Sequence, residues 1–398
     1  MALLVLLTST ARAQLDPAPR QILHLGANVS LTDPGPLGAY AFYYWNMPSF
    51  PTTNQILRLV IAPGYVNSEL GFKELLGPLN DVGVGAFGGF GAENYSEVDG
   101  GRLYKNQSFS GNDVGINVSL YHRFNPDQMI PLTGVLRETM DYVGYTRDNN
   151  TAGNFSVPGT QPIFTTRIGF RWGGKEPVLA PTLGMEVSGW YELEHRSDDV
   201  TYGFNNDRQL ESTPQRIWGR AQINYTTLTY QHYIVASLQG GTVIDPDRMS
   251  CFRLGGVLPY TKEFPLLIPG YYYQELSARD FGLANVTYAI PFGPEKSWYV
   301  MGEGSAALVS YVDETGQPGA FNSGIGAGTG YIAPSRRWKC FGLFGYGFEA
   351  ERENGRGGYS IGLAFEYNFG STKTAADEAY QKLQDAYGDG TSGGSFGH

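Results

Sequence analysis

The chain is poor in charge, nearly free of cysteine and without a long apolar run. Lys, Arg, Asp and Glu make up 17% of its 398 residues, below the ~25% usual in soluble domains. The balance is acidic, with a formal net charge of −10, so no basic footprint exists and no nucleic-acid partner is expected. Two cysteines, Cys251 and Cys340, exclude a disulfide-stapled scaffold. They lie in different segments and are expected as free or buried thiols. No run approaches the ~18 apolar residues that a spanning helix needs, and mean hydropathy is −0.25. A helical membrane protein is therefore excluded. The five histidines (His24, His122, His195, His232 and His398) show no metal-ligand spacing, so neither metal nor cofactor is expected. A G-x-G-x-x-G match from Gly83 to Gly88 lacks the βαβ setting of a dinucleotide site. A G-x-S-x-G match around Ser392 lies in a Gly/Ser-rich tail without a strand–turn–helix context. No residue set supports catalysis.

What the chain does have is glycine, 54 residues of it, with 27 Tyr and 22 Phe. Glycine suits a crowded inner face and tight turns, and the aromatics suit girdles at two membrane interfaces. The last apolar run reads Y-S-I-G-L-A-F-E-Y-N-F. Tyr359, Ile361, Leu363, Phe365, Tyr367 and Phe369 alternate there with Ser360, Gly362, Ala364, Glu366 and Asn368. Such alternation is a strand with one greasy and one small or polar face. It recurs along most of the chain in segments of about 10 residues, the signature of an all-β, transmembrane antiparallel barrel. The same run resembles the C-terminal membrane-insertion signal of bacterial outer-membrane barrels. Ser360, Gly362, Phe365, Tyr367 and the terminal aromatic Phe369 fit it in order.

The expected organisation is a signal peptide at 1–13, ending in Ala11-Arg12-Ala13, then a periplasmic linker at 14–21. The barrel follows at 22–369, with a periplasmic tail at 370–398 in which 375–387 has helical spacing. About 16 strands are expected, including one at 81–95 and one at 229–244, an even number as bacterial barrels require. Asn94, Asn117 and Asn285 are expected within strands. Long connections at 97–109, 148–161, 197–214 and 245–277 are assigned outside. Short ones such as 293–296 and 334–337 are assigned to the periplasm, so both barrel ends lie there.

The segment 245–277 is the sixth outer loop, with five strands behind it. Its F-R-L-G-G (Phe252 to Gly256) and P-G-Y-Y-Y-Q-E-L (Pro269 to Leu276) resemble the sixth loop of the BamA/TamA superfamily, the bacterial surface antigen family. In that family this loop folds into the lumen, begins with a Gly-Gly pair and carries an Arg-Gly-Phe/Tyr tip. Gly255 and Gly256 match the pair, and Gly270 and Tyr271 match the tip, with Pro269 in the place of the arginine. G-L-A-N-V-T-Y-A-I-P-F (Gly282 to Phe292) and M-G-E-G-S (Met301 to Ser305) extend the likeness. Glu303 stands where the family has the acid that pairs with the tip arginine. Arg253, Lys262 and Arg279 are alternative partners for it. No POTRA domains precede the expected barrel. The resemblance implies a barrel with its sixth loop in the lumen, acting as plugged scaffold or anchor, or as gated translocation conduit. Its implied partners are outer-membrane lipid, the outer-membrane assembly machinery during insertion, and a periplasmic or outer-membrane protein. A general porin is the alternative, disfavoured by the low charge available for a constriction.

Overall fold

The computed structural model describes residue 15 and residues 19–370, apart from 127, 129, 175–182, 198–199, 228, 259–262, 313–314 and 316–317. The expected signal peptide, most of the linker, the tail beyond 370 and Lys262 lie outside the described residues.

Sixteen antiparallel strands close into one barrel. They are β1 (Arg20–Ser30), β2 (Gly38–Pro48), β3 (Gln55–Ala62), β4 (Tyr65–Phe72), β5 (Asn80–Gly89), β6 (Phe109–Arg123), β7 (Leu132–Arg147) and β8 (Gln161–Gly174). Then come β9 (Leu183–Arg196), β10 (Gln215–Thr226), β11 (Tyr233–Ile244), β12 (Leu276–Phe292), β13 (Trp298–Tyr311), β14 (Phe321–Ile332), β15 (Trp338–Arg352) and β16 (Gly355–Asn368). Each strand pairs with its neighbours in sequence. The first and last close the ring in continuous register from Ile22↔Asn368 to Ser30↔Ser360. Closure removes every free edge, which a lipid phase demands because it offers no water to an unpaired backbone group.

The pleat then decides which residues meet lipid. On β6, Val114, Ile116 and Val118 are 61%, 57% and 50% exposed, while Asn117 and Ser119, in the alternate register, are buried on the inward face. The closing strand β16 behaves as its sequence predicts: Ser360, Gly362, Ala364 and Glu366 point inward.

Two expected strands are shorter than their apolar patterns. The strand placed at 81–95 stops at Gly89. Gly91 takes a left-handed φ of +73°, and side chains there replace the ladder. Its N–H donates to Asn112 Oδ1 at 2.9 Å, and the Gly111 N–H donates to Asn94 Oδ1 at 3.1 Å. Asn94 therefore brackets a turn rather than lying in a strand. The strand placed at 229–244 begins at Tyr233, because Gln231 and His232 are hydrogen-bonded back to Thr227 instead of extending the ladder. Asn117 and Asn285 do lie in strands.

The inward face has two characters. On β12–β16 it carries Phe281, Leu283, Tyr299, Met301, Ile332, Phe341 and Leu343, all buried. On β3–β10 it carries Arg58, Glu69, Arg171, Glu186, Glu192 and Arg220, also buried. Most of the inward ion pairs are thus on β3–β10, and the apolar wall keeps a buried Lys339–Glu366 pair at 2.8 Å, where composition alone suggested a weakly charged interior. A closed barrel of this strand number is too wide for its own side chains to fill, so something else must cover the apolar half.

Candidate functional site

The segment between β11 and β12 begins as a hairpin. Phe252–Leu254 pairs antiparallel with Leu276, Ser277 and Ala278 of β12. Gly255 and Gly256 then turn the chain at φ +123° and +99°. Both values lie in the region that L side chains rarely adopt, and a Cβ on Gly255 would strike the Tyr272 carbonyl. The Gly255 N–H donates to the Leu266 carbonyl at 2.9 Å, and Gly256 bridges Ile268. The Gly-Gly pair is therefore where the outgoing and returning arms of the loop are tied together.

Both arms are covered on the apolar wall. Val257 and Leu258 are fully buried against Tyr233, Ala289, Tyr299, Met301, Ile332, Phe341, Leu343 and Ala364. Leu254, Ile268, Tyr271 and Leu276 form a second cluster with Phe281, Leu283, Ala307, Val309 and Ala350. Burying a side chain of this size contributes about 1.5–3 kcal/mol. Several such groups far outweigh any single polar contact of the loop.

The tip rests on a floor of glycines. Pro269, Gly270 and Tyr271 lie over Gly324 and Gly326 of β14, Gly345 and Gly347 of β15, and Gly358 of β16. A Cβ on Gly345 would sit 2.7 Å from Gly270 N and 2.9 Å from Pro269 Cβ. A Cβ on Gly347 would lie 2.7 Å from the Tyr271 ring. The bare inner face lets loop backbone touch strand backbone. Gly270 has φ +85° and donates its N–H to Ser360 Oγ at 3.0 Å, while the Tyr271 hydroxyl donates to Asn322 Oδ1 at 3.1 Å. Two residues singled out for membrane insertion thus touch the loop: Ser360 holds the tip, and Gly362 faces Val257 and Leu258. Phe365 and Phe369 are in ring contact with Trp338 and Tyr43, respectively, and Tyr367 with Phe369.

The charged staple of the tip is a pair that the sequence did not advertise. Arg352, the last residue of β15, grips Glu275 with Nη1–Oε1 at 2.8 Å and Nη2–Oε2 at 3.0 Å. Both side chains are 1% exposed. Arg352 Nη2 also donates to the Gly270 carbonyl at 3.1 Å, and the guanidinium stands 3.8 Å from the Tyr272 ring centroid. Glu275 Oε2 accepts the Tyr272 N–H at 2.6 Å. Strict alternation along β15 would turn Arg352 outward. A register shift between Gly347 and Glu351 brings it inside instead.

Glu303 is in the inward register of β13, opposite Gly326, over which Pro269 passes. Among the described residues it makes no hydrogen bond or ion pair. The alternative partners lie elsewhere. Arg253 donates to the Gln274 and Ser96 carbonyls at 3.0 and 2.9 Å, and Arg279 pairs with Asp280 at 2.9 Å.

The middle of the loop reaches the charged wall. Glu263 pairs with Arg171 and, at 3.8 Å, with Arg167. Phe264 packs against Trp190 and Trp218 at 5.8 and 6.1 Å, with the Arg220 guanidinium 4.6 Å from its ring. Behind it the arginines are matched by acids: Arg220 with Glu186 at 2.6 Å, Arg216 with Glu192 and Glu194 at 2.9 and 2.8 Å, and Arg58 and Arg137 with Glu69 at 2.9 and 3.1 Å. The loop thus touches both walls.

Above the hairpin, the longer connections pack on one another around Tyr95, Phe109, Phe155, Tyr202 and Leu210. Glu97 joins them by accepting from Arg208 at 2.9 Å and from Arg248. Burial, with Glu97 beside it, pushes the Tyr95 phenol well above its usual range. Cys251 and Cys340 are both free, and burial raises the Cys251 thiol as well.

Neither a family model nor a curated protein matches the sequence. The fold does have solved counterparts. The chain is similar to CdiB from Acinetobacter baumannii at a TM-score of 0.58 and 9% identity, over 88% of this chain and 60% of that one. CdiB from Escherichia coli gives 0.56 and 10%, over 88% and 64%. BamA from Haemophilus ducreyi lacking POTRA domains 1-3 gives 0.54 and 9%, over 88% and 71%. The chain therefore spans less than two thirds of the length of the CdiB proteins. At such identities the likeness is one of fold: a closed, sixteen-stranded membrane-type β-barrel of the kind found in BamA and CdiB.

Proposed function

We propose that this chain is an outer-membrane barrel of BamA/TamA type whose sixth loop plugs the lumen, and that it works as a gated conduit or scaffold for protein partners. The carrying observation is the two-sided fit of that loop. Its apolar arms match the apolar inner wall, and Glu263 and Phe264 match the arginine and tryptophan wall. A porin leaves its lumen open to solvent, whereas here the apolar residues on the inward face of β12–β16 are packed against the arms of the loop. The barrel-level likeness to BamA and CdiB supports a Gram-negative outer membrane as the location. The inside-out pattern supports insertion by the assembly machinery acting on the closing strand. In this reading the short connections and both barrel ends face the periplasm, and Gly255, Gly256, Pro269, Gly270 and Tyr271 are the latch.

The test is single-channel recording of the refolded barrel in a planar bilayer. A mostly closed state with rare brief openings is expected. A large steady current at all voltages would replace the plugged conduit with a general porin.

A further inference from the structure

Along the outward face of β15 the bulky Trp338 is followed by the small Cys340 and Gly342. The facing rows of β14 add Tyr331 and Thr329. The result is a groove of about 870 Å³ in the outer wall, reaching across β16 to Leu25 of β1. That volume falls within the ~300–1,000 Å³ of built ligand sites. One margin is a continuous aromatic row, with Trp298–Tyr331 centroids at 4.8 Å, Tyr331–Trp338 at 5.2 Å and Trp338–Phe365 at 6.3 Å. This row adjoins the two turns at 293–297 and 333–337. They carry Lys296, Arg336 and Arg337 against a single acid, Glu295, and Arg336 and Arg337 are exposed.

An occupant of this groove must be apolar and flexible. It cannot be an added strand, since every wall strand is already paired on both sides. The floor offers few polar groups, and the Thr329 hydroxyl is committed to the Tyr299 carbonyl at 2.9 Å. The cations lie just past the aromatic row, where a headgroup would sit if the chains lay in the groove. We propose that the groove binds the acyl chains of an anionic glycerophospholipid, with its phosphate held at Arg336, Arg337 and Lys296. This inference rests on the membrane reading above.

The experiment uses the full chain in phosphatidylcholine vesicles containing a minor fraction of phosphatidylglycerol. Insertion is scored first by heat-modifiable mobility and protease protection. Retained lipid is then counted by native mass spectrometry after gentle extraction. Wild type should retain phosphatidylglycerol well above its bulk fraction, and Arg336→Gln with Arg337→Gln should lower that preference about fivefold per cation. Gly342→Phe, which fills the groove from the lipid side, should release the retained lipid. Both arginines are in an exposed turn, so their variant keeps the barrel fold. A retained-lipid ratio equal to the bulk ratio, or one unchanged in the arginine variant, overturns the groove while leaving the barrel intact. Failure to insert overturns the membrane reading and the groove with it.

Discussion

Replacing Arg352 by Met leaves Glu275 buried, 1% exposed, without its bidentate partner. Removing one member of a buried ion pair costs about 3–5 kcal/mol, because the remaining charge has lost its compensation without regaining water. Undocking the loop would let Glu275 hydrate, so this cost falls on the closed state alone. A shift of about 4 kcal/mol corresponds to roughly a thousandfold change in the open-to-closed ratio. The variant should therefore pass from rare flickers to long openings in single-channel recordings, while heat-modifiable mobility confirms a folded barrel. A second variant checks the cause. Arg352→Met combined with Glu275→Leu removes both charges; the Gly270 carbonyl loses its donor as in the single variant, and the one added defect is the Tyr272 N–H without its acceptor, a loss of about 1–3 kcal/mol. The double variant should thus be tighter than the single. An open probability in Arg352→Met within twofold of wild type would refute the staple. So would a double variant that leaks at least as much as the single one.

Gly345→Ala places a methyl against the Gly270 and Pro269 backbone, and overpacking of about 1–3 kcal/mol should raise leak. Gly342→Ala meets only the mobile end of Leu363, at 3.1 Å, and should not. Tyr271→Ala empties a fully buried aromatic site, costing the loop about 3–5 kcal/mol and raising conductance. Glu303→Ala should change little, since that carboxylate has no partner among the described residues; equal leak from the two would reverse this ranking. Cys251 is buried with a raised pKa, and Cys340 lies in the outer-wall groove. A polar maleimide at pH 8 should therefore label neither until the barrel is denatured, and rapid labelling of folded protein would contradict the placement.

Much of the barrel was legible because the pleat has period two. Residues 359–369 announced the closing strand, and the small and polar set Ser360, Gly362, Ala364 and Glu366 is the inward set observed. Alternation failed where local geometry broke the period. Gly91 ended β5 early, and the shift in β15 turned Arg352 inward. The tip arginine absent at Pro269 was legible as a gap. The Arg352–Glu275 pair that holds the tip was not, because the two residues are 77 positions apart in sequence and meet only in the folded barrel.

The sequence by itself determined the strand count, the membrane-type alternation and the Gly-Gly and Gly-Tyr positions of the sixth loop. These depend on local sterics and on which side chains tolerate lipid. Only the tertiary structure decided that the interior has a greasy and a charged wall, that the loop matches both, and that bare glycines on three strands form the floor under its tip. Those features join residues many tens of positions apart, such as Arg171 and Glu263 at 92 or Gly270 and Ser360 at 90, and no local period encodes which of them become neighbours once the ring is closed.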